Sequence, residues 1–299
     1  MLGKVAIKAF VYSSHLGFVW EALRDTAMSR VMIAALVLCL IAERFFGRRR
    51  NQPISRSFFF DYGYFVFNVV AMGALVSLLY HLIRQFYVVW LPFTKIQLLK
   101  DQPFALQVVV GFLIGDFTQY LAHWLRHKVG PLWHIHAVHH SEKALNPAAA
   151  FRTHPFGPVV AGALRYVPVA MLGGSAWAGA FLGAFEVVWG AFLHSDLPIS
   201  LGPLKWVLIT PAFHRIHHSI EPRHWDKNLG EVLTVWDWLF GTACFDLEDS
   251  FELGVRDFPI EPVTRLAPHA LVAGWLRLTW YPVQACGAQI LRRLSQRAA

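Results

Sequence analysis

Apolar residues in this chain gather into long runs separated by short polar stretches. Residues 31–42, extended to 30–46 by Arg30, Glu43 and Phe46 at the edges, predict a first membrane span. Arg48, Arg49 and Arg50 follow at once and read as a cytoplasmic flank. Residues 58–83 predict a second span, whose Asp61, Asn68 and His81 must face protein or the interface. Residues 84–103, with Pro92 and two lysines, read as a loop or interfacial piece. Residues 104–125 predict a third hydrophobic helix. The stretch 157–194 is apolar throughout and too long for one crossing of a hydrocarbon core about 30 Å thick. Gly173-Gly174 breaks it, which predicts a hairpin of two short helices over 157–172 and 175–194. Residues 195–265 turn polar, with many Pro, Asp and Lys, and predict a soluble segment. Mixed polar and apolar residues over 5–27 and 269–294 predict amphipathic interfacial helices at the two ends.

Composition agrees with a membrane protein: 56% of residues are hydrophobic and 15% charged. The formal net charge of +8 points to anionic lipid headgroups more than to nucleic acid, for which no binding signature is present. Cys39, Cys244 and Cys286 are widely spaced, which argues against a disulfide framework and a cysteine-based zinc site. The first residues, MLGKVAIKAF, do not have the pattern of a cleaved signal. The expected fold class is therefore an all-α integral membrane protein of about three long spans plus a helical hairpin.

Histidines then single out one region. His123 and His127 stand four apart; His136, His139 and His140 follow in an HxxHH spacing; His214, His217 and His218 repeat that spacing. On a helix, i and i+4 lie roughly 40° apart and i and i+3 about 60° apart, so each group shares one face. His134 points about 160° away from His136 and is not expected to join them. Helix-start signals support the reading: Gly130-Pro131 opens the second group's helix, and Thr210-Pro211 the third's. A lone histidine in such a place is an ordinary polar core residue. Eight at repeated spacings are better explained as metal ligands, and they are too many for one ion. Two ions with four or more nitrogens each fit, and the ligand type leaves Fe, Zn and Cu open. Counting crossings puts all three groups on one side of the membrane. The arginine-rich loop makes that side cytoplasmic.

The run from Asp116 to Ser141, DFTQYLAHWLRHKVGPLWHIHAVHHS, resembles the signature of the fatty acid hydroxylase / sterol desaturase superfamily. So do TPAFHRIHHS at 210–219 and the stretch from Asp226 to Thr242 that contains DKNLG and WDWLFGT. The resemblance implies a membrane-bound oxygenase of the endoplasmic reticulum or a bacterial inner membrane. Its histidine-bound di-iron centre would lie in a cytosolic cap and use O2, with Zn able to replace Fe in isolated protein. It implies three regions: 1–103 with the amphipathic helix and first two spans, 104–265 as the catalytic domain, and 266–299 as an interfacial helix. It also implies His123, His127, His136, His139, His140, His214, His217 and His218 as ligands. His194, in FLHSDLP, resembles the family's His-Ser-Asn element and is a ninth candidate, with Asp196 in place of Asn. His154, in RTHP, resembles a recurring Arg-x-His-Pro element. Leu229 departs from the aromatic usual in the family's Asn-aromatic-Gly element. Arg126 also departs, since the family's arginine usually follows the first histidine directly.

Imidazoles are neutral, so acids that accept their second N–H are expected nearby. Asp116, Glu186 and Asp196 are the leading candidates, with Glu142 and Asp226 behind them and Arg165 as a possible partner. The expected function is hydroxylation of a lipid C–H bond: sterol, fatty-acyl, sphingoid or ether lipid. The alternatives are a desaturase of the same superfamily and a non-catalytic metal-binding membrane scaffold. No His-Pro-Gly-Gly stretch of a fused cytochrome occurs, so electrons are expected from a separate protein.

Overall fold

Helix α1, Thr26–Phe46, opens the described part of a computed structural model. The structure describes residues 26–52, 54–161, 163–164, 171–199, 201–245, 251–259 and 266–298. The expected amphipathic helix at 5–27 lies almost wholly outside them, and so does Arg165. Among the described residues there is no strand, only the isolated bridges Leu208–Leu233 and Ser219–Leu253.

Helix α2 runs from Arg56 to Trp90 and is capped by Ser55, whose hydroxyl accepts from the amide of Phe58. At 35 residues it is about 52 Å long, well beyond a bilayer core. This corrects the expected loop at 84–103: nothing in 84–90 breaks a helix, and the chain leaves it only at Leu91, before Pro92. Helix α3, Phe104–Lys128, follows. Val129 then turns extended, and α4, Gly130–His140, starts with Pro131 in its first turn. Of the expected hairpin, α5 (Phe156–Ala161) and α6 (Ala176–Leu193) are described. Helices α7 (Pro211–His217) and α8 (Val235–Leu239) are short. Helix α9, Pro268–Ala298, closes the chain and contains Pro282.

One described helix, Phe104–Lys128, is long and apolar enough to cross a membrane by length and composition, where about three long spans were expected. Large apolar side chains nonetheless cover the outside of several helices. Leu38 and Phe45 on α1, Val70 and Leu82 on α2, Val109 on α3 and Trp177 on α6 are all exposed.

Packing runs α1 on α6, α6 on α3, α3 on α4 and α4 on α9. Met32, Ala35, Leu36 and Cys39 of α1 are buried with Phe58, Ala148 and Ala191. Phe60 and Tyr64 of α2, Val138 of α4 and Leu278 of α9 form a second cluster. Helix α9 is thus a structural wall rather than a loose appendage. Its Trp275 indole donates to the Phe60 carbonyl, and its Thr279 carbonyl lies 2.9 Å from His154 Nε2.

The two ends of the molecule are tied separately. At one end, the Arg48 amide donates to the Asp196 carbonyl at 3.1 Å, and Arg49 reaches the Leu145 carbonyl at 2.7 Å. The loops after α1, α4 and α6 therefore meet. At the other end, the amides of Gln97 and Leu99 donate to the carbonyls of Met171 and Leu172. Gly173 there has φ +80°, and a Cβ would sit 2.9 Å from the Cα of Gln97. Only glycine fits both the conformation and the close approach.

Candidate metal centre

The break between α3 and α4 folds the first two histidine groups back on each other, and α7 brings in the third. All nine expected histidines converge, divided into two sets. His123, His127, His136, His140 and His217 form one; His139, His194, His214 and His218 form the other. Within each set, one ligand atom from every residue lies within 4.8 Å of all the others. The i, i+4 pairs stay together: 123/127 and 136/140 in the first set, 214/218 in the second. The i+3 member of each HxxHH crosses over, so His139 leaves its helix neighbours for the second set and His217 for the first. Both α4 and α7 therefore straddle the two positions.

The rings face one another through Nε2. His123 and His140 approach His136 at 2.9 and 3.1 Å. His139 and His214 approach His194 at 3.2 and 3.1 Å, and His218 approaches His214 at 3.2 Å. Four rings have their other nitrogen on an atom that only accepts. His123 Nδ1 lies 2.8 Å from the Leu229 carbonyl, His217 Nδ1 2.9 Å from that of Lys227, and His194 Nδ1 2.8 Å from that of Gly190. His127 Nδ1 is 3.3 Å from the Asp226 carboxylate. Each of these Nδ1 atoms carries its proton outward, which leaves an Nε2 lone pair aimed into the cluster. His127 Nε2 and His217 Nε2 are buried without a hydrogen-bond partner. Convergent buried lone pairs repel one another unless a cation lies between them, so the donor set fits two metal ions. Burial holds His136, His139, His140, His214, His217 and His218 well below the ordinary imidazole pKa, and the crowding of rings that cannot all be protonated adds to it. Neutral imidazole is the form that ligates.

Three of the outward acceptors come from one short loop: the Asp226 side chain and the carbonyls of Lys227 and Leu229. Asp226 and Asn228 have φ of 58° and 55°, a left-handed conformation that Asp and Asn tolerate. Asp237 braces the loop, accepting from the amides of Leu229 and Gly230 at 2.7 and 2.9 Å. A Cβ on Gly230 would lie 2.8 Å from Asp237 Oδ2 and equally close to the Leu233 carbonyl, so a side chain has no room there. Leu229 itself is fully buried and serves the site through its backbone, so the departure from an aromatic leaves this hydrogen bond intact. The DKNLG and WDW segments stand out in the sequence, but nothing there shows that their carbonyls orient imidazoles. The hydrogen bond from His127 holds Asp226 down to about 2. We expect Asp226→Asn, which keeps an acceptor and loses the charge, to weaken metal binding at the five-histidine set about tenfold. Chelator competition would measure this; unchanged retention would remove Asp226 from the role.

The other expected acids are placed differently. Asp116 accepts from the amides of Val232 and Leu233 and from the Trp236 indole, so it fixes the loop before α8 and meets no imidazole. Asp196 binds the Arg49 backbone and side chain and lies 3.8 Å from Arg215. Neither therefore accepts from an imidazole, as both were expected to do. The partners of Asp116 are loop amides and an indole packed against the middle of α3, and those of Asp196 are arginines, rather than any imidazole. Glu142 shares Arg152 with Asp61. Glu186 lines a cavity of about 510 Å³ against the centre.

His134 lies outside both sets, 3.3 Å from Gln289. His154 Nε2 faces the Thr279 carbonyl and its Nδ1 accepts from the Phe156 amide, so neither nitrogen reaches the cluster. His224 packs on Phe251.

The cavity touches both histidine sets through His123, His136, His139, His194 and His214. Its α6 wall consists of Gly183, Glu186, Val187, Gly190 and Leu193. Trp189 and Phe192 pack on the Leu193–Ile209–Phe213 core rather than lining the cavity, and Trp189 donates to the Glu231 carbonyl.

Residues 108–242 match the family model for fatty acid hydroxylase. Among curated proteins, the chain is 36% identical over 140 residues to ornithine lipid hydroxylase OlsE of Rhizobium tropici, covering 47% of this chain and 42% of that protein. It is 32% identical over 154 residues to alkylglycerol monooxygenase of Xenopus tropicalis, covering 52% and 34%. It is 26% identical over 151 residues to the Delta(7)-sterol-C5(6)-desaturase of Nicotiana tabacum, covering 49% and 52%. The chain thus spans less than half the length of the first two relatives. No solved structure matches it significantly.

Proposed function

We propose that this protein, whose residues 108–242 match the family model for fatty acid hydroxylase, is a membrane-bound, non-haem di-iron oxygenase that hydroxylates a C–H bond of a lipid. The observation that carries this reading is that one cavity opens onto both histidine sets. An apolar chain entering it places one carbon beside both metal positions. The five-histidine and four-histidine sets each hold one iron, and iron so held supplies the activation of O2. The chain's own part is geometric. The Asp226–Leu229 loop fixes ring orientation, and the apolar cavity wall excludes water and sets which carbon is presented. The exposed apolar helix surfaces are the kind of patch a bilayer covers. We place the catalytic unit at 104–265, within a multi-pass protein whose histidine end faces the cytoplasm, and assign electron delivery to a separate protein.

The test is incubation of iron-loaded protein with total membrane lipid, a reducing system and 18O-labelled dioxygen. One labelled oxygen should appear in a lipid product. Ala161 lines the cavity, so Ala161→Trp should lower product more than tenfold with metal content kept. A new double bond without label would mark a desaturase. Oxygen neither consumed nor transferred would mark a metal-binding scaffold.

Topology has its own check. Single cysteines at Arg50, Lys143 and Asp257, all exposed, should label from the cytoplasmic side, and one at Lys100 from the opposite side. Arg50 and Lys143 labelling from opposite sides would refute the shared face.

A further inference from the structure

The cavity leaves part of the centre untouched. His127, His140 and His217 of the five-histidine set do not line it. Trp133, on the first turn of α4, covers that side. Its ring centroid lies 5.2 Å from His127, 5.4 Å from His140 and 6.4 Å from His136. Among the described ring contacts, it is the non-histidine ring that meets either set, and it is partly exposed. A partly exposed indole in contact with three candidate ligands joins the surface to the centre without passing through the cavity.

The surface around it is basic, with contributions from three elements. Lys128 closes α3 and is 43% exposed. Arg223, on the turn that leads into Asp226, is exposed, and Lys227 follows. Gln289 of α9 lies against Gly130 and His134, and the exposed Arg292 and Arg293 stand one helical turn further along. Of the acids near this rim, Asp226 is engaged by His127 and Lys128, and Glu221 stands at the N-cap position of the turn that carries Arg223. We propose that this basic rim, with Trp133 at its centre, is the docking and electron-entry surface for an acidic one-electron carrier protein.

The inference rests on the oxygenase reading. Hydroxylation consumes one C–H bond, O2, two electrons and two protons, and yields C–OH and water. The carrier must therefore visit twice per turnover, each time losing one electron to the centre. Anionic lipid would also suit the cations, but a lipid contact gives no reason for an indole in contact with three imidazoles. Steering of an acidic partner by such a rim also raises its encounter rate.

The probe is a soluble, reduced [2Fe–2S] ferredoxin, offered anaerobically to the iron-loaded full chain in detergent. Saturable, salt-sensitive binding is expected, and Arg223→Glu/Arg292→Glu/Arg293→Glu should weaken it at least tenfold. Trp133→Leu should slow oxidation of bound ferredoxin at least tenfold at matched metal content, and Trp133→Phe should recover most of the rate. The proposal is overturned if wild type shows no saturable binding, or if the triple variant binds ferredoxin like wild type. It is also overturned if the triple variant loses only its affinity for phosphatidylglycerol vesicles, or if Trp133→Leu transfers electrons at the wild-type rate. Binding is read without turnover. Dithionite-driven product formation by wild type reads the oxygenase function separately, so failure of one is distinguishable from failure of the other.

Discussion

Replacing His139 or His217 by alanine should abolish lipid oxidation and lower bound metal from about two ions per chain. The two residues are the ones that cross between the sets: His139 leaves α4's other ligands for the four-histidine set, and His217 leaves α7's for the five-histidine set. Each substitution removes a candidate ligand and also cuts a helix's hold on one of the two histidine sets. Loss of an outer partner of a ligand costs about 10–100-fold in affinity or activity, and loss of the ligand itself should exceed that. His139→Ala leaves three imidazoles in its set and should lose that ion. His217→Ala leaves four and should retain more metal while still losing activity. His134→Ala is the control, because its ring lies against Gln289 and away from both sets. Elemental analysis with product assay separates these cases. Full metal and activity in His139→Ala would refute the two-site assignment.

Arg152→Met should be the most destabilising single change outside the ligands. The Arg152 guanidinium bridges Asp61 at 2.9 Å and Glu142 at 2.8 Å, and all three side chains are at most 8% exposed. Its remaining donors reach the Val138 carbonyl and the Ser141 hydroxyl, so it ties the end of α4 to α2. Removing it leaves two carboxylates buried together without a cation. Breaking a buried pair in this way costs about 3–5 kcal/mol. In a chain of this size that is a fall in unfolding temperature of roughly 6–20 °C. The α4 histidines should loosen with it, so metal retention should drop as well. Adding Asp61→Asn should recover part of the loss, because it removes one stranded charge and keeps the contact with Asn146. Thermal unfolding of the detergent-solubilised protein measures both steps. An unchanged midpoint for Arg152→Met would show that the cluster does not hold α4.

The helices of the first half were largely legible because length and apolarity are local properties. The long runs gave α1, α3 and the start of α2 to within a few residues, and Thr210-Pro211 and Gly130-Pro131 marked real helix starts. The C-terminal end of α2 was missed, since Pro92 marks where the helix must stop but does not say how much of 84–91 precedes the stop. The candidate ligands were legible for a similar reason. Spacings of three and four put side chains on one helix face whatever that face packs against. His194 was found by likeness to a family element alone, with no partner at helical spacing.

The division of nine histidines into five and four was not legible. All three residues of each HxxHH share a face, and that face is wide enough to serve two positions, so the crossing angle between α4 and α7 decides which ring goes where. The sequence did determine that nine imidazoles would be offered from short helices in an apolar, helical protein. Only the tertiary structure decided which imidazoles cluster together, and that the carbonyls of Leu229 and Lys227 orient His123 and His217 from one loop. The physical reason is that ring orientation depends on hydrogen bonds to main-chain atoms. Every residue type carries those atoms, so no side-chain pattern can mark them.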